Sequence, residues 1–332
     1  MKKDVALVLS SGGPRGFAYI GAIEELEERG YNITSIAGTS IGSLIGGMYA
    51  AGKLKEVKQW LFDLNKWKVF SLLDISLSKS YLVKGDKVIN ALQEIVPKVF
   101  IQDLKIPYKA IATDLLTGEE VIFENGDLFE AIRASISIPS LFRPVKYGNQ
   151  ILVDGGLVNT LPLDRIDRNG QDLLIAFDVN GMDVDSIHEK LELREKLEKE
   201  RLEADADLNA QTKLVIDSVK NNEYLSTMDK IKLVAEQGKA VVNQIFNKEE
   251  IEEDDDLDVD SNYFTILTRS FDLMNHVISK KIIELYPPDL LVSMSLNTYG
   301  SIPDYAKAKE ISELGRKLMK EALDRFESQD TE

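Results

Sequence analysis

The sequence predicts an α/β protein with three layers, a mostly parallel central sheet between helices, and an acidic helical insert. Three observations carry that prediction. Over the first 180 residues short apolar runs alternate with segments of helical period, the alternation that builds a parallel sheet covered on both faces. Between 181 and 260 the alternation stops, and 23 acidic against 11 basic side chains concentrate a net charge of −12, leaving −4 for the other 252 residues. Beyond that stretch a helix, one apolar run and a last helix resume the earlier pattern.

Taken in order, Val5–Leu9 is a continuous apolar run, as in a strand buried on both faces. Phe17–Arg29 follows with Phe17, Ile20, Ile23 and Leu26 at helical spacing, and Gly30 closes it. Ile33–Ala37 reads as a second strand and Ser40–Ala51 as a helix rich in Gly and Ala. Further strands are expected at Tyr108–Thr113, Glu120–Phe123, Gln150–Val153 and Leu173–Val179, and further helices at Lys55–Leu64, Gly85–Val96 and Leu128–Ala134. From His188 to Asn247 the chain is rich in Glu, Lys, Leu and Ala, with one glycine and no proline, which predicts long helices. The run Glu249–Asp260 holds nine acids in twelve residues and cannot bury enough apolar surface to order itself, so it reads as a disordered loop. Tyr263–Leu285 reads as a helix, Leu290–Met294 as a strand and Asp304–Phe326 as the terminal helix. The expected organisation is a core over 1–180, the insert over 181–261, and a helix–strand–helix segment over 262–332 that completes the core.

Composition excludes several chemistries. The 332 residues contain no cysteine, which removes a disulfide framework, a thiolate zinc site, an iron–sulfur cluster and a cysteine nucleophile. A net charge of −16 with no basic patch opposes binding to nucleic acid. The acidic run lacks the glycine that an EF-hand turn needs, so neither a metal nor another cofactor is expected. The apolar run at the N-terminus is too short for a signal peptide, and no 18-residue apolar stretch follows it. The expected location is the cytoplasm, with peripheral contact at a membrane.

Two motifs carry chemistry. Gly38-Thr39-Ser40-Ile41-Gly42 matches Gly-x-Ser-x-Gly and falls where a strand gives way to a helix, the context in which the turn lifts a serine hydroxyl above the sheet. Ser40 could equally be an ordinary helix N-cap. Ser11-Gly12-Gly13-Pro14-Arg15-Gly16 follows the first strand, and its backbone N–H groups could hold a phosphate or an oxyanion. A dinucleotide site is disfavoured, because Ser11 stands at its first glycine and the second strand ends without an acid. For an oxyanion the donors would be Gly12, Gly13 and Arg15, with Ile41, since Pro14 has no N–H. The Arg15 side chain reads equally as a structural ion-pair partner.

A base for Ser40 is the remaining requirement. His188 lies in the charged insert and His276 within a helix, so neither stands where a Ser-His-Asp triad needs its histidine. A carboxylate can replace it if it is desolvated or held against the serine. Asp154, in Val153-Asp154-Gly155-Gly156 at a strand end, is the best candidate. Turn-making is its alternative role, shared by Asp114 and Asp178 at two other strand ends.

Together the three segments resemble the patatin-like phospholipase family, whose glycine loop, Gly-x-Ser-x-Gly elbow and Asp-Gly-Gly motif correspond to Ser11–Gly16, Gly38–Gly42 and Asp154–Gly156. Arg133–Pro139, Phe142–Val145 and Gly156–Pro162 also look like that family. The resemblance covers about residues 4–180 and, more loosely, 262–325; it departs at Ser11 and Pro14 and leaves the insert unexplained. It implies a Ser40–Asp154 dyad, with Gly12, Gly13 and Arg15 as oxyanion donors, and hydrolysis of lipid acyl esters through an acyl-enzyme. An acyltransferase or thioesterase on the same dyad, and a catalytically silent lipid-binding scaffold, are the alternatives. The partner expected is a lipid or acyl-ester substrate; the sequence leaves the oligomeric state open. Apolar positions between Leu214 and Ile245 suit a lid over the acyl pocket as well as a solvated packing element.

Overall fold

A computed structural model of the chain describes residues 3–74, 81, 83–220 and 263–329. Residues 1–182 and 256–332 make one compact unit and residues 183–255 a second. In the first unit eight strands form one sheet: β1 Asp4–Leu9, β2 Asn32–Thr39, β3 Tyr108–Asp114, β4 Glu120–Phe123, β5 Val145–Tyr147, β6 Gln150–Asp154, β7 Leu173–Gly181 and β8 Leu290–Ser295. Their order is β5-β6-β3-β2-β1-β7-β8, with β4 paired to β3. The five strands from β3 to β8 along this path run parallel, whereas β4 and β6 are antiparallel to β3 and β5 is antiparallel to β6.

The strand period of two explains how the sheet comes to have two cores. In β1 the side chains of Val5, Leu7 and Leu9 enter a large cluster on one face, while Ala6 and Val8 join Leu161, Leu163, Leu174 and Ala176 on the other. The larger cluster is roofed by α1 Ala18–Glu28, α2 Ile41–Ala50, α3 Leu54–Phe62, α5 Asp86–Ile95 and α6 Leu128–Ser135. The C-terminal helix, α9 Ala308–Gln329, adds Ile311, Met319 and Leu323 to the same cluster. It can lie close to α1 because a Cβ at Gly315 would stand 2.0 Å from the Ala18 carbonyl oxygen. Helix α8, Tyr263–Leu285, covers the smaller cluster with Ile282 and Ile283. These layers are the three-layer α/β arrangement that the alternation predicts, and the segment after the insert supplies a helix to each face.

Some boundaries differ, each for a local reason. The turn before α1 is a 3-10 helix, Gly13–Phe17, because Pro14 has no N–H to give and its fixed φ suits a helix start. The terminal helix is likewise preceded by a 3-10 turn, Ile302–Lys307, capped reciprocally by Ser301 and Asp304. Two elements are absent from the sequence reading. Helix α4, Lys66–Leu72, buries only Val69, so it has no apolar stripe, although Asn65 caps it by accepting the Lys68 N–H. Strand β5 has three residues on the sheet edge, too few for an alternation to register.

In the second unit α7, Val184–Lys220, is a single helix of 37 residues, about 55 Å long at 1.5 Å per residue. The helices expected between 221 and 247, and the acidic run Glu249–Asp260, lie outside the described residues.

Candidate active site

Ser40 stands between β2 and α2 with φ 55° and ψ −122°. For a residue with a Cβ this conformation costs about 1–3 kcal/mol, so the surroundings must enforce it. The glycines on either side show how. A Cβ at Gly38 would stand 2.5 Å from the Gly42 carbonyl oxygen, and one at Gly42 would stand 2.3 Å from the Leu9 carbonyl oxygen. The turn therefore closes tightly on itself and against the end of β1. The Ser40 N–H donates to Ser135 Oγ at 2.8 Å, and the Ser40 carbonyl accepts from Ser43 Oγ at 2.6 Å. Both backbone groups of Ser40 are thus engaged, and its side chain makes no N-cap bond to α2.

The hydroxyl turns to Asp154 instead, and Ser40 Oγ donates to Asp154 Oδ2 at 2.5 Å. Asp154 ends β6 and is fully buried. Its backbone is fixed by its N–H, which donates to the Ser137 carbonyl at 2.9 Å, and by its carbonyl, which accepts from Thr113 Oγ1 at 3.0 Å. Its second carboxyl oxygen, Oδ1, accepts the Gly156 N–H at 2.8 Å. Burial pushes the Asp154 carboxyl up to about 7, against the opposing pull of the Ser40 hydroxyl and the Gly156 N–H. A carboxylate of that strength takes a hydroxyl proton far more readily than an exposed aspartate does.

The other candidate bases are occupied elsewhere. Asp114 accepts the Leu116 and Ile151 N–H groups in a turn, and the Leu116 N–H above all holds its carboxyl below the usual range. Asp178 is buried and accepts from both the N–H and the side-chain amide of Asn180 and from Ser279 Oγ. His276 has Nδ1 2.8 Å from the Asn180 carbonyl oxygen, and His188 is on α7 in the second unit.

Ser40, Ile41 and Gly13 share one cavity of about 110 Å³. Its remaining wall is almost wholly apolar, with Leu44, Leu61, Leu64, Val69 and Ile138 among its residues. Gly13, at φ 57°, begins the 3-10 helix, and Ile41 begins α2; N–H groups at a helix start have no intrahelical acceptor. Gly12 is not among the lining residues, and a Cβ there would stand 2.2 Å from Val179 Cγ2. The Arg15 side chain does not line the cavity: it donates to Asp272 Oδ1 at 2.6 Å and to the Leu296 carbonyl at 3.0 Å. Of the two roles the sequence allows this guanidinium, the structure has the ion-pair role, tying the glycine loop to α8 and to the end of β8.

Two participants escape sequence reasoning. Ser135 supports the Ser40 N–H, and only its place in the family-like segment Arg133–Pro139 hinted at it. Tyr305 lines the cavity from the C-terminal 3-10 turn, packed edge-on against Phe17, and burial raises its hydroxyl to about 12. No local pattern around residue 305 marks it. Among the described residues no three His, Asp or Glu side chains converge where they could hold a metal ion, and no helix is long and apolar enough to cross a membrane.

Comparison with known proteins adds an independent line. Residues 7–167 match the family described as patatin-like phospholipase. An uncharacterized NTE family protein of Mycobacterium bovis is 34% identical, over 99% of this chain and 93% of its own length. The neuropathy target esterase sws of Drosophila melanogaster is 32% identical over 54% of this chain and 13% of its own. The lysophospholipase NTE1 of Debaryomyces hansenii is 32% identical over 54% of this chain and 12% of its own. With a relative matched over nearly its whole length and the family's motifs gathered at one end of the sheet, the chain belongs to the patatin-like phospholipase family.

Proposed function

We propose that this protein is a serine hydrolase of lipid acyl esters, with Ser40 as nucleophile and Asp154 as its base. The single observation that carries the reading is the 2.5 Å hydrogen bond to a buried carboxylate from Ser40 Oγ, on a serine that lines an apolar cavity. The names of two relatives, an esterase and a lysophospholipase, agree with it.

In the proposed reaction Ser40 Oγ attacks the ester carbonyl carbon as its proton passes to Asp154 Oδ2. The carbonyl π electrons move to oxygen, and the Gly13 and Ile41 N–H groups hold the resulting oxyanion. The Ser40 N–H is already committed to Ser135, so it does not join them. The Gly12 and Arg15 N–H groups, on either side of Gly13 and Pro14 in the same loop, are the further donors. Collapse of the intermediate breaks the bond to the alcohol, which leaves with the proton from Asp154, and water repeats the sequence to free the fatty acid. An aspartic acid serves an alkoxide leaving group better than an amide nitrogen, so esters are favoured over peptides.

Labelling with a fluorophosphonate tests the nucleophile, and fatty-acid release from a lysophospholipid tests the substrate class. The expected result is a single modified residue, Ser40, with labelling lost in Ser40→Ala and slowed at least a hundredfold in Asp154→Asn. A folded wild type that neither labels nor releases fatty acid would overturn the proposal. Adding an alcohol acceptor separates hydrolysis from acyl transfer by the product formed.

A further inference from the structure

Helix α4 has two faces of different character. Val69 and Leu72, with Leu73 just after it, line the cavity that holds Ser40. On the outer side Trp67 is 86% exposed and Phe70 56% exposed. Three residues apart, they are neighbours on one helical face. They stand in a ten-residue stretch, 64–73, with two lysines and no acid, although the whole chain carries −16. Lys66 and Lys68 flank the indole, and among the described residues neither is paired with a carboxylate; Lys68 Nζ donates to the Asp63 carbonyl. A third ammonium, Lys87 Nζ, donates to the Ser71 carbonyl on the same helix.

Tryptophan with lysine is the pairing that settles at a lipid headgroup layer. The ring sits among glycerol and upper acyl carbons while the ammonium reaches anionic phosphate. We propose that the Trp67–Phe70 face of α4 docks the protein onto an anionic phospholipid surface. This rests on the reading of the site as a lipid acyl hydrolase, and it gives that site a route to its substrate. The same short helix would touch the bilayer on one side and wall the Ser40 cavity on the other, so a lipid drawn out of the layer need pass only one helix. A second copy of the chain is the poorer occupant, because a two-fold contact here would set ammonium groups against ammonium groups.

Co-sedimentation of the full chain with phosphatidylcholine vesicles, and with vesicles containing phosphatidylglycerol, tests the surface. Turnover of soluble p-nitrophenyl butyrate, measured on the same preparations, tests the hydrolase separately. Wild type should sediment with the anionic vesicles. Trp67→Ser/Phe70→Ser should bind them at least tenfold more weakly, and Lys66→Glu/Lys68→Glu should lose the preference for anionic lipid. Neither pair lines the cavity, so both variants should keep their melting temperature and soluble-ester turnover within twofold. Wild type that binds neither vesicle, or an aromatic variant that binds like wild type, would overturn the docking surface. A wild-type dimer abolished by Trp67→Ser/Phe70→Ser would overturn it in favour of self-association. If wild type binds anionic vesicles through this face but fails to turn over the soluble ester or to label at Ser40, docking stands and the hydrolase reading falls.

Discussion

Ser135 holds the backbone of Ser40: its Oγ accepts the Ser40 N–H at 2.8 Å and donates to the Ile111 carbonyl at 2.6 Å. Ser40 is therefore fastened, through α6, to the strand that pairs with β6, the strand ending in Asp154. One hydroxyl fixes Ser40 relative to Asp154. In Ser135→Ala both the Ser40 N–H and the Ile111 carbonyl lose a buried partner, at a cost of about 1–3 kcal/mol each. The expected outcome is a lower melting temperature, together with a drop in kcat of tenfold or more at nearly unchanged KM. The strained Ser40 backbone can then relax, whereas the apolar walls of the cavity stay as they are. Steady-state kinetics with a thermal melt check it, and a KM rise with constant kcat would contradict it.

The buried carboxyl of Asp154 predicts the pH profile. With its titration near 7, only the deprotonated form can take the Ser40 proton, so activity should fall as pH drops through about 7. An ordinary aspartate would keep activity flat down to about 4. The profile of kcat/KM for a soluble ester should approach a tenfold loss per pH unit on its acid side. A limb centred near 4 would mean that the carboxyl is not desolvated in solution.

The same shift has a cost in stability, with a definite sign. Below about 4 the carboxyl is protonated in the folded and unfolded chains alike, so its burial carries no charge penalty. As pH rises towards 7 the unfolded chain releases this proton while the folded chain keeps it, and stability falls across that window. Above 7 the full penalty, on the order of a few kcal/mol, is present. Asp154→Asn has no proton to release, and an amide oxygen can still accept the Gly156 N–H. The variant should therefore melt above wild type at pH 8 and close to it at pH 4, while losing activity. Denaturant titrations at the two pH values measure the difference.

The parts of this site legible in the sequence were those built from local pattern. Gly38–Gly42 and Asp154–Gly156 each lie at a strand end, and a strand end is readable from an apolar run followed by small residues. Gly12, Gly13 and Arg15 follow from the glycine loop after the first strand and Ile41 from its place beside Ser40; that Gly13 opens a 3-10 helix is what the structure adds. What was not legible depends on partners distant along the chain. Arg15 meets Asp272 and the Leu296 carbonyl, more than 250 residues away, and no local feature chooses between that ion pair and an anion ligand. Tyr305 reaches the cavity only because the C-terminal segment folds back over the glycine loop. Helix α4 escaped because periodicity detects a buried stripe, and this helix buries one residue while exposing its aromatic rings.

The elbow itself yields the sharpest steric prediction. Gly42 is the last residue of the pentapeptide and the second of α2, and its α-carbon faces the end of β1. A methyl there would come 2.3 Å from the Leu9 carbonyl oxygen and 2.7 Å from that of Ser10, both backbone atoms held in the sheet and glycine loop. Neither can swing aside as a flexible side chain would. Gly42→Ala must therefore push α2 away from β1, carrying Ser40 and the Ile41 N–H with it. Overpacking of this kind costs about 1–3 kcal/mol and at times more. If the chain still folds, misplacing the hydroxyl from Asp154 by a fraction of an ångström should cost far more activity than stability. Gly52→Ala is the control, because a Cβ there meets nothing within 4 Å and only its positive φ is strained. Comparable stability losses in the two variants, with fluorophosphonate labelling slowed a hundredfold or more only in Gly42→Ala, are the expected result; equal labelling rates would mean that the elbow tolerates the shift.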